Sequence, residues 1–480
     1  MGQSYDFGVP QKRSWFMGVG MGRFAGLATG VLIGGACFFM QIYPGMFVAF
    51  AFAAAWSFMP IGDRVMWEWA EPVYHHLFMK KEDRLFVAEK ILPRLGEKTR
   101  DVRIKSVPEL RHIKFRPYLD SYGVGYGVAV EGSGAKVTHT AVFEVDGDSR
   151  FNVADWEEQD NAIANWGRVL DGTASTRGKV KRVQIVERAI PHSGELQYQW
   201  MDKNRPDEDN PLLEDYESLV RQASLVATSH HVYVAIQVAV DSKDQKKALE
   251  ESSNEFRNFA RNLEESNFAA KPLGAKEMAI LMRHFSDPLE TIKDVARKKA
   301  PPSLKAIGPR ARKIHFDYIE MEGTYQRFFF VKAFPRTPVA ADWLSPLLLT
   351  PVANAIRTVS MTLEPVPFRN ALREVQQART AAEATTKQRE KLGFNTNAVH
   401  SREMQDIDNR EWELAAGHAE HRICGIIGVS ATTKEDLDTA SVAIQDIAGM
   451  ARLDLQGFQG HEADAWAATL PLCQVRFKTL

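Results

Sequence analysis

The chain has 480 residues, of which 45% are hydrophobic and 25% are charged, and its formal net charge is −1. This length has room for two or three globular domains, and the charge balance gives the chain no global reason to bind DNA or an anionic surface. The three cysteines, Cys37, Cys424 and Cys473, are odd in number and far apart, which argues against a disulfide framework and fits a reducing compartment.

The N-terminal region contains one uncharged run, because no Asp, Glu, Lys, Arg or His occurs from Phe24 to Ile61. A single helix of that length would measure about 57 Å, whereas the hydrocarbon core of a bilayer is about 30 Å thick. We therefore predict two transmembrane helices, at about 23–42 and 45–61, with a turn at Tyr43-Pro44-Gly45. The alternatives are a re-entrant hairpin and a cleaved signal peptide, although the run is too long for a signal peptide and a second apolar block follows directly.

Basic residues flank both ends of this run, and the predicted turn carries no charge. They are Lys12, Arg13 and Arg23 before the run, and Arg64, Lys80, Lys81 and Arg84 after it. The positive-inside rule then predicts a two-span protein of the cell membrane with both termini, and the large C-terminal part, in the cytoplasm.

A glycine strip runs along the first predicted span, because Gly18, Gly22, Gly26, Gly30 and Gly34 recur every four residues. Positions four apart share one face of a helix, and small residues let membrane helices approach closely. The strip is therefore a predicted packing site, either for the alanine-rich second span or for another subunit in a homo-oligomer. The plain alternative is that glycine is common in membrane helices.

The rest of the chain alternates strand-like and helical segments, which predicts an α+β fold. Strands are predicted at 102–104, 122–130, 137–145, 180–189, 231–240, 315–321, 325–334, 359–363, 422–429 and 453–455. Helices are predicted at 155–170, 212–227, 243–264, 276–283, 368–391, 401–418 and 434–450. We divide the chain into a membrane region with its connector (1–90), a first α+β unit (91–290), a basic linker (291–312) and a second α+β unit (313–480). Each unit is expected to be an antiparallel sheet covered by helices, of ferredoxin-like type.

The proline-rich linker concentrates positive charge. The candidates for contact with lipid or a partner are Arg297, Lys298, Lys299, Arg310, Arg312 and Lys313. Anionic lipid would attract such a run, but a solvated linker is the simpler interpretation. Aromatic residues that would stack on bases are absent between Thr291 and Ile314, so no nucleic-acid binding is expected.

The motifs of known chemistry are missing. The sequence contains no G-x-x-x-x-G-K-[ST] phosphate loop and no G-x-S-x-G nucleophile elbow. His418, His421 and Cys424 are closely spaced, but a zinc site needs about four ligands, usually in separated pairs. The glycine-rich segment 122–127 superficially resembles a channel filter, yet glycines in a β-rich context more often mark a bend. We therefore predict a protein that is not an enzyme, without cofactor or metal.

Several short motifs occur in a fixed order along the chain. They are Leu273-Gly274-Ala275-Lys276-Glu277 with Asp287-Pro288, Gly323-Thr324-Tyr325-Gln326-Arg327-Phe328-Phe329-Phe330 ending at Pro335, Glu364-Pro365 before a long helix with Gly393, and Ala431-Thr432-Thr433-Lys434-Glu435-Asp436-Leu437 with the late Leu470-Pro471. From about Phe143 onward this order resembles the N-terminal half of the type IV secretion assembly ATPases of the TraC and TrbE class. In that class the nucleotide-binding motor would begin about where this chain ends.

Together with the two-span hairpin, the chain is similar to actinobacterial integral membrane proteins of conjugation-like loci, which resemble the ATPase front half without its motor. The resemblance implies a non-catalytic membrane scaffold that docks a separate cytoplasmic phosphate-loop ATPase and contacts other membrane subunits of the apparatus. A membrane component of a type VII-like export machine is the alternative. An enzyme with an unrecognised site is a third.

Overall fold

The computed structural model describes Tyr5, Phe7 and residues 21–87, 106–133, 136–146, 151, 154–174, 178–191, 201, 203–204, 214–220, 228–242, 244–287, 308–391 and 398–475. Within these residues, helices and antiparallel strands are mixed, which confirms the mixed α and β class predicted from the sequence. The predicted strand at 102–104 lies outside the described residues, as does most of the linker 291–312.

The uncharged run folds as two packed helices, α1 (Met21–Phe39) and α2 (Tyr43–Phe58). The predicted turn is displaced by a few residues: the chain reverses at Gln41, whose φ of 60° is left-handed, and Ile42 N–H donates to Cys37 O at 2.9 Å. Pro44 therefore begins the second helix instead of ending the first, because a proline in the first turn of a helix lacks only an N–H that would have no partner there.

A folded connector follows the helices. It contains the short hairpin β1 (Pro60–Ile61) and β2 (Arg64–Val65), a single 3₁₀ turn (Met66–Trp69), α3 (Ala70–Phe78), α4 (Lys81–Arg84) and β3 (Leu85–Val87). Gly62 has φ of 64° at the tip of this hairpin, a conformation that glycine adopts without a steric penalty. The connector leads directly into the main sheet, because β3 pairs with a strand that lies more than 200 residues further along the chain.

The main sheet and the helices that cover it form two halves along the chain. The first half consists of β4 (Ile113–Leu119), β5 (Gly125–Ser133), β6 (Lys136–Asp146), α5 (Trp156–Thr173), β7 (Val180–Pro191), β8 (Thr228–Val240), α6 (Gln245–Glu265), β9 (Ala269–Pro272) and α7 (Ala275–Ser286). The second half contains β10 (Ala311–Ile314), β11 (Ile319–Met321), β12 (Thr324–Ala333), α8 (Ser345–Leu349), β13 (Ala355–Pro365), α9 (Phe368–Lys391), α10 (Ala398–Ala415), β14 (His421–Ala431), α11 (Lys434–Met450), β15 (Asp454–Gly457) and α12 (Glu462–Thr469). The predicted turn at Glu322-Gly323 is present, with φ of 93° at Gly323.

Thirteen of the described strands form one antiparallel sheet, in the order β3-β10-β11-β12-β14-β13-β7-β8-β6-β5-β4, with β15 also beside β12 and β9 beside β6. The sequence predicts two separate sheets, and in this respect the structure differs. The edge strands β7 and β13 of the two halves pair from Val183↔Leu363 to Arg357↔Ala189, so the two units share one continuous sheet. The pairing satisfies backbone groups that two isolated sheets would leave at exposed edges.

The two halves repeat one topology. In the first, β6-α5-β7-β8-α6-β9 places β9 beside β6, β6 beside β8 and β8 beside β7; in the second, β12-α8-β13-β14-α11-β15 places β15 beside β12, β12 beside β14 and β14 beside β13. Each half also begins with a hairpin strand on its first long strand, β5 on β6 and β11 on β12. The antiparallel β7–β13 pair joins the equivalent edge strands of the two halves.

The cores follow the same division. On one face of the sheet, α5 and α6 cover the first half around Phe143 and Phe256, and α8 and α11 cover the second half around Ile427 and Leu437. On the other face, α7 and α12 contribute Met278 and Trp466 to one shared core that includes strand residues of both halves. Trp466 is fully buried there, and burial of a side chain of this size stabilises the fold by roughly 2–3 kcal/mol or more.

Candidate functional site: the apolar hairpin and its base

The outer surface of the α1–α2 hairpin is apolar and exposed. Leu32, Phe39, Phe47 and Val48 are 74%, 88%, 68% and 68% exposed. Among the described helices, one is long and apolar enough to cross a membrane by length and composition: the segment Gly22–Phe39, with a mean hydropathy of 1.4. The helix predicted as the second span has 16 residues, or about 24 Å, which is shorter than the hydrocarbon core.

The glycine strip faces the second helix of the same chain. A Cβ placed on Gly30 would lie 2.2 Å from Ala53 Cβ, one on Gly26 would lie 2.7 Å from the Trp56 ring, and one on Gly34 would lie 2.9 Å from the Phe50 ring. A Cβ at Gly30 would overlap the Ala53 methyl group, and one at Gly26 or Gly34 would require the facing ring to move, so the glycines allow α1 and α2 to pack closely.

The strip also extends to the base of the hairpin. A Cβ on Gly22 would lie 2.3 Å from the Trp67 ring of the 3₁₀ turn, and Ser57 Oγ donates to Arg23 O at 3.3 Å. Gly18 lies outside the described residues. From Gly22 to Gly34 the strip is therefore covered within the chain, and contact with another subunit would have to use a different face.

The base of the hairpin is fastened to the second half of the sheet. The partly buried Arg64 side chain donates to Gly457 O at the end of β15 and, at 2.9 Å, to Gln459 Oε1 two residues further on. Burial lowers the pKa of Arg64. The Trp69 ring stacks on Phe316 with ring centroids 6.2 Å apart. The connector is thus a docking element that joins the apolar helices to the sheet.

The loop after β15 comes unusually close to α3. Gly460 has φ of 81°, and a Cβ on it would lie 2.4 Å from Pro72 O. The neighbouring Glu462 is fully buried, and burial raises its pKa well above the usual range. A group of polar side chains from both elements is collected here: His75 and Glu71 on α3, and His461 and Asp464 at the start of α12.

His75 and His461 stack with ring centroids 4.1 Å apart. One nitrogen of each ring and a carboxylate oxygen of Asp464 lie within 4.8 Å of one another, close enough to hold a metal ion. Among the described residues, this is the one group of three or more His, Cys, Asp or Glu side chains whose ligand atoms lie close enough together to hold a metal ion. The sequence does not reveal this group, because His75 and the Gly460–His461 loop are about 385 residues apart and no local motif links them.

The closely spaced His418, His421 and Cys424, which the sequence did not favour as a zinc site, are not brought together as one in the structure. His418 is exposed and lies 3.7 Å from Asp171, His421 contacts Thr173 Oγ1 at 3.2 Å, and Cys424 is buried in the core of β14. Burial raises the pKa of the Cys424 thiol to about 12, which leaves it protonated and a poor ligand. In the filter-like segment, Gly123 lies in a turn with φ of 85°, and Gly127 is where α7 approaches β5.

The predicted basic linker needs a correction at its C-terminal end. Arg312 belongs to β10, its side chain is fully buried, and it donates to Glu109 Oε2 at 2.6 Å and to Glu109 Oε1 at 3.2 Å. It therefore cannot face lipid or a partner, because a charge in that position needs its buried partner. Arg310 and Lys313 are exposed, and β10 holds Lys313 between β3 and β11. Arg297, Lys298 and Lys299 lie outside the described residues.

Comparison with known proteins adds no relative: no protein-family model matches the chain, and no curated protein matches it either.

Proposed function

We propose that the protein is a non-catalytic scaffold with two membrane spans, whose double α+β body docks a cytoplasmic motor ATPase of a conjugative or type IV secretion-like apparatus. The observation that carries this proposal is the combination of an apolar hairpin with a folded base, which fastens the hairpin rigidly to a large sheet. Such a construction transmits force or position between a bilayer and a soluble partner.

Support for two spans comes from the exposure of apolar side chains, which is similar on the two helices. Phe47 and Val48 of α2 are as exposed as most apolar side chains of α1, and an apolar surface of this extent is unfavourable in water. The apolar residues Met59–Ile61 extend the second crossing beyond α2. A short span is accommodated by local thinning of the bilayer or by anchoring aromatic residues.

The membrane topology is tested by cysteine labelling in intact cells. In a Cys37→Ser background, Gln41→Cys marks the turn and Asp63→Cys marks the base. Two spans with both termini inside predict that a membrane-impermeant maleimide labels only Gln41→Cys before lysis, and that Asp63→Cys reacts after lysis. Labelling of Asp63→Cys in intact cells would indicate a single crossing, and labelling of neither would indicate that the hairpin does not reach the outer surface.

The body supports the scaffold part of the proposal. Each half has a β-α-β-β-α-β core with the strand order 4-1-3-2, and we propose that the chain contains two ferredoxin-like units fused edge to edge. The second unit carries the helical pair α9 and α10, and Trp412 on α10 is 71% exposed. We place the motor-docking surface on this unit.

Site-specific photocrosslinking tests the partner. A photoreactive residue replaces Trp412 in the second unit, and a matched control replaces Tyr122, which is 75% exposed in the first unit. Capture of a phosphate-loop transfer ATPase from Trp412 and not from Tyr122 is the expected outcome. Capture of type VII export components would replace this proposal by the alternative, and equal capture from both positions would contradict a docking surface on the second unit.

A further inference from the structure

The strongest unassigned feature is the histidine pair between the hairpin base and α12. His461 has two contacts: its Nδ1 lies 3.8 Å from Asp464 Oδ2, and its Nε2 lies 2.7 Å from Glu71 Oε1. His75 Nδ1 lies 2.8 Å from Gly460 O. A carbonyl oxygen can only accept, so His75 carries its proton on Nδ1, which leaves the lone pair of Nε2 available.

Each histidine is therefore held by one ring nitrogen and has the other one left for a ligand. This is the arrangement of metal-binding histidines, in which the outer nitrogen donates to a carbonyl or a carboxylate that fixes the ring. Gly460 O has that role for His75, and the Glu71 carboxylate is the ion-pair partner of the outer nitrogen of His461. The inner ligand set is then His75 Nε2, His461 Nδ1 and Asp464 Oδ2.

We propose that this cluster binds a divalent transition-metal ion, with Zn²⁺ as the ion of best fit. Two imidazoles and one carboxylate suit zinc and its first-row neighbours, whereas Mg²⁺ and Ca²⁺ prefer oxygen ligands only. The side chains of His461 and Asp464 are 20% and 30% exposed, so water can reach the site and complete a four-coordinate shell.

The position of the site indicates what the ion does. His75 belongs to the connector that carries the apolar hairpin, whereas His461 and Asp464 begin the last helix of the second half of the sheet. An ion held by all three residues crosslinks two parts of the chain that are distant in sequence. It thereby locks the orientation of the membrane hairpin relative to the sheet, and it does so whether or not the partner is a secretion ATPase.

Metal binding by the purified full chain in detergent is the test. The protein is stripped with a chelator, dialysed against Zn²⁺, and its zinc content is measured by mass spectrometry; Co²⁺ is used in parallel for its ligand-field absorption. We expect one Zn²⁺ per chain, loss of it in His75→Ala and His461→Ala, and retention in His418→Ala, which removes an exposed histidine remote from the site.

A milder variant separates ligation from folding. Glu71→Gln keeps the shape of the outer contact but removes its charge, and loss of such an outer partner lowers metal affinity about 10-fold or more. Zinc is also expected to raise the Tm of the wild type and of His418→Ala, but not of His461→Ala. The proposal is wrong if the wild type binds no stoichiometric zinc, since the cluster is then a metal-free chain of ion pairs, or if His75→Ala and His461→Ala bind as much as His418→Ala.

Discussion

At the scale of single residues, the buried charges determine which parts of the basic linker are available to a partner. Arg312 is adjacent in sequence to the exposed Lys313, yet its side chain is fully buried against Glu109. The alternation of a β-strand explains the difference, because successive side chains point to opposite faces of the sheet. The sequence placed both residues in one solvated run, since it does not show which positions of a short strand face the core.

Removal of one member of this pair leaves an uncompensated buried charge. We expect Arg312→Ala to lower the free energy of unfolding by about 3–5 kcal/mol, because Glu109 would remain buried without its guanidinium. The matched change Lys313→Ala, at an exposed position of the same strand, should alter stability by no more than about 0.5 kcal/mol. Thermal unfolding in detergent compares the two variants, and equal Tm values would contradict the buried pair.

The buried His139 makes the stability of the fold depend on pH, and the direction of the effect follows from its lowered pKa. It is buried beside Ser252, whose Oγ lies 2.8 Å from His139 Nδ1, and burial together with the Arg116 charge lowers its pKa from 6.5 to about 4. Between pH 6.5 and 4 the unfolded chain binds a proton that the folded chain does not, so stability is lost as pH falls through this window. The loss reaches at most about 3.5 kcal/mol, from about 1.4 kcal/mol per unit of pKa.

The variant His139→Asn tests this contribution, because asparagine keeps a polar atom near Ser252 but does not titrate. The Tm of the wild type should fall more steeply than that of the variant between pH 6.5 and 4, and the two curves should run parallel above pH 6.5. Parallel curves over the whole range would show that His139 does not titrate as its burial requires.

At the scale of elements, the close packing of α1 and α2 depends on the glycine strip. Gly30→Ile would insert a branched side chain where a Cβ alone would lie 2.2 Å from Ala53 Cβ. We expect the helices to separate at a cost of about 1–3 kcal/mol, seen as a lower Tm and a lower yield of folded protein.

Gly35→Ile is the matched control on the same helix, because a Cβ at Gly35 would meet nothing within 4 Å. Both substitutions change helix propensity in the same way, so their difference isolates the contact with α2. If Gly35→Ile is as destabilising as Gly30→Ile, the strip is not the packing surface.

At the scale of the whole molecule, the two halves are coupled at the β7–β13 junction and by the C-terminal segment beneath it. The buried Gln184 on β7 donates to Ser360 Oγ at 2.9 Å on β13 and to Ala468 O at 2.8 Å on α12, and it accepts from Cys473 N at 2.6 Å. One side chain thus connects three segments, and the shared core lies directly below it.

Gln184→Leu is expected to leave the buried Cys473 N–H without its partner, at roughly 1–3 kcal/mol, whereas Ala468 O keeps the hydrogen bond from Ser360 Oγ at 3.0 Å. Hydrogen exchange should then rise in β8 of the first half and in β14 of the second half together. The control Lys181→Ala, at an exposed position of β7, should leave both strands protected. Faster exchange in β8 alone would show that the halves unfold independently.

Much of the local structure followed from the sequence. Strand and helix periods predicted the main elements, the uncharged run predicted the apolar hairpin, and the four-residue spacing predicted one glycine face. These properties are local, because hydrophobic periodicity and composition depend only on residues that are close together in the sequence. The spacing of His418, His421 and Cys424 was also local, but these side chains do not form a site, since His418 is exposed and Cys424 is buried in the core.

The sequence by itself determined the mixed α and β class, the apolar hairpin and the face of its glycines. Only the tertiary structure decided that those glycines are covered by the chain's own second helix, that two repeated halves share one sheet, that Arg312 is buried, and that His75 meets His461. The physical reason is that pairing of edge strands and assembly of distant side chains depend on contacts between segments hundreds of residues apart, and neither periodicity nor composition encodes which segments meet.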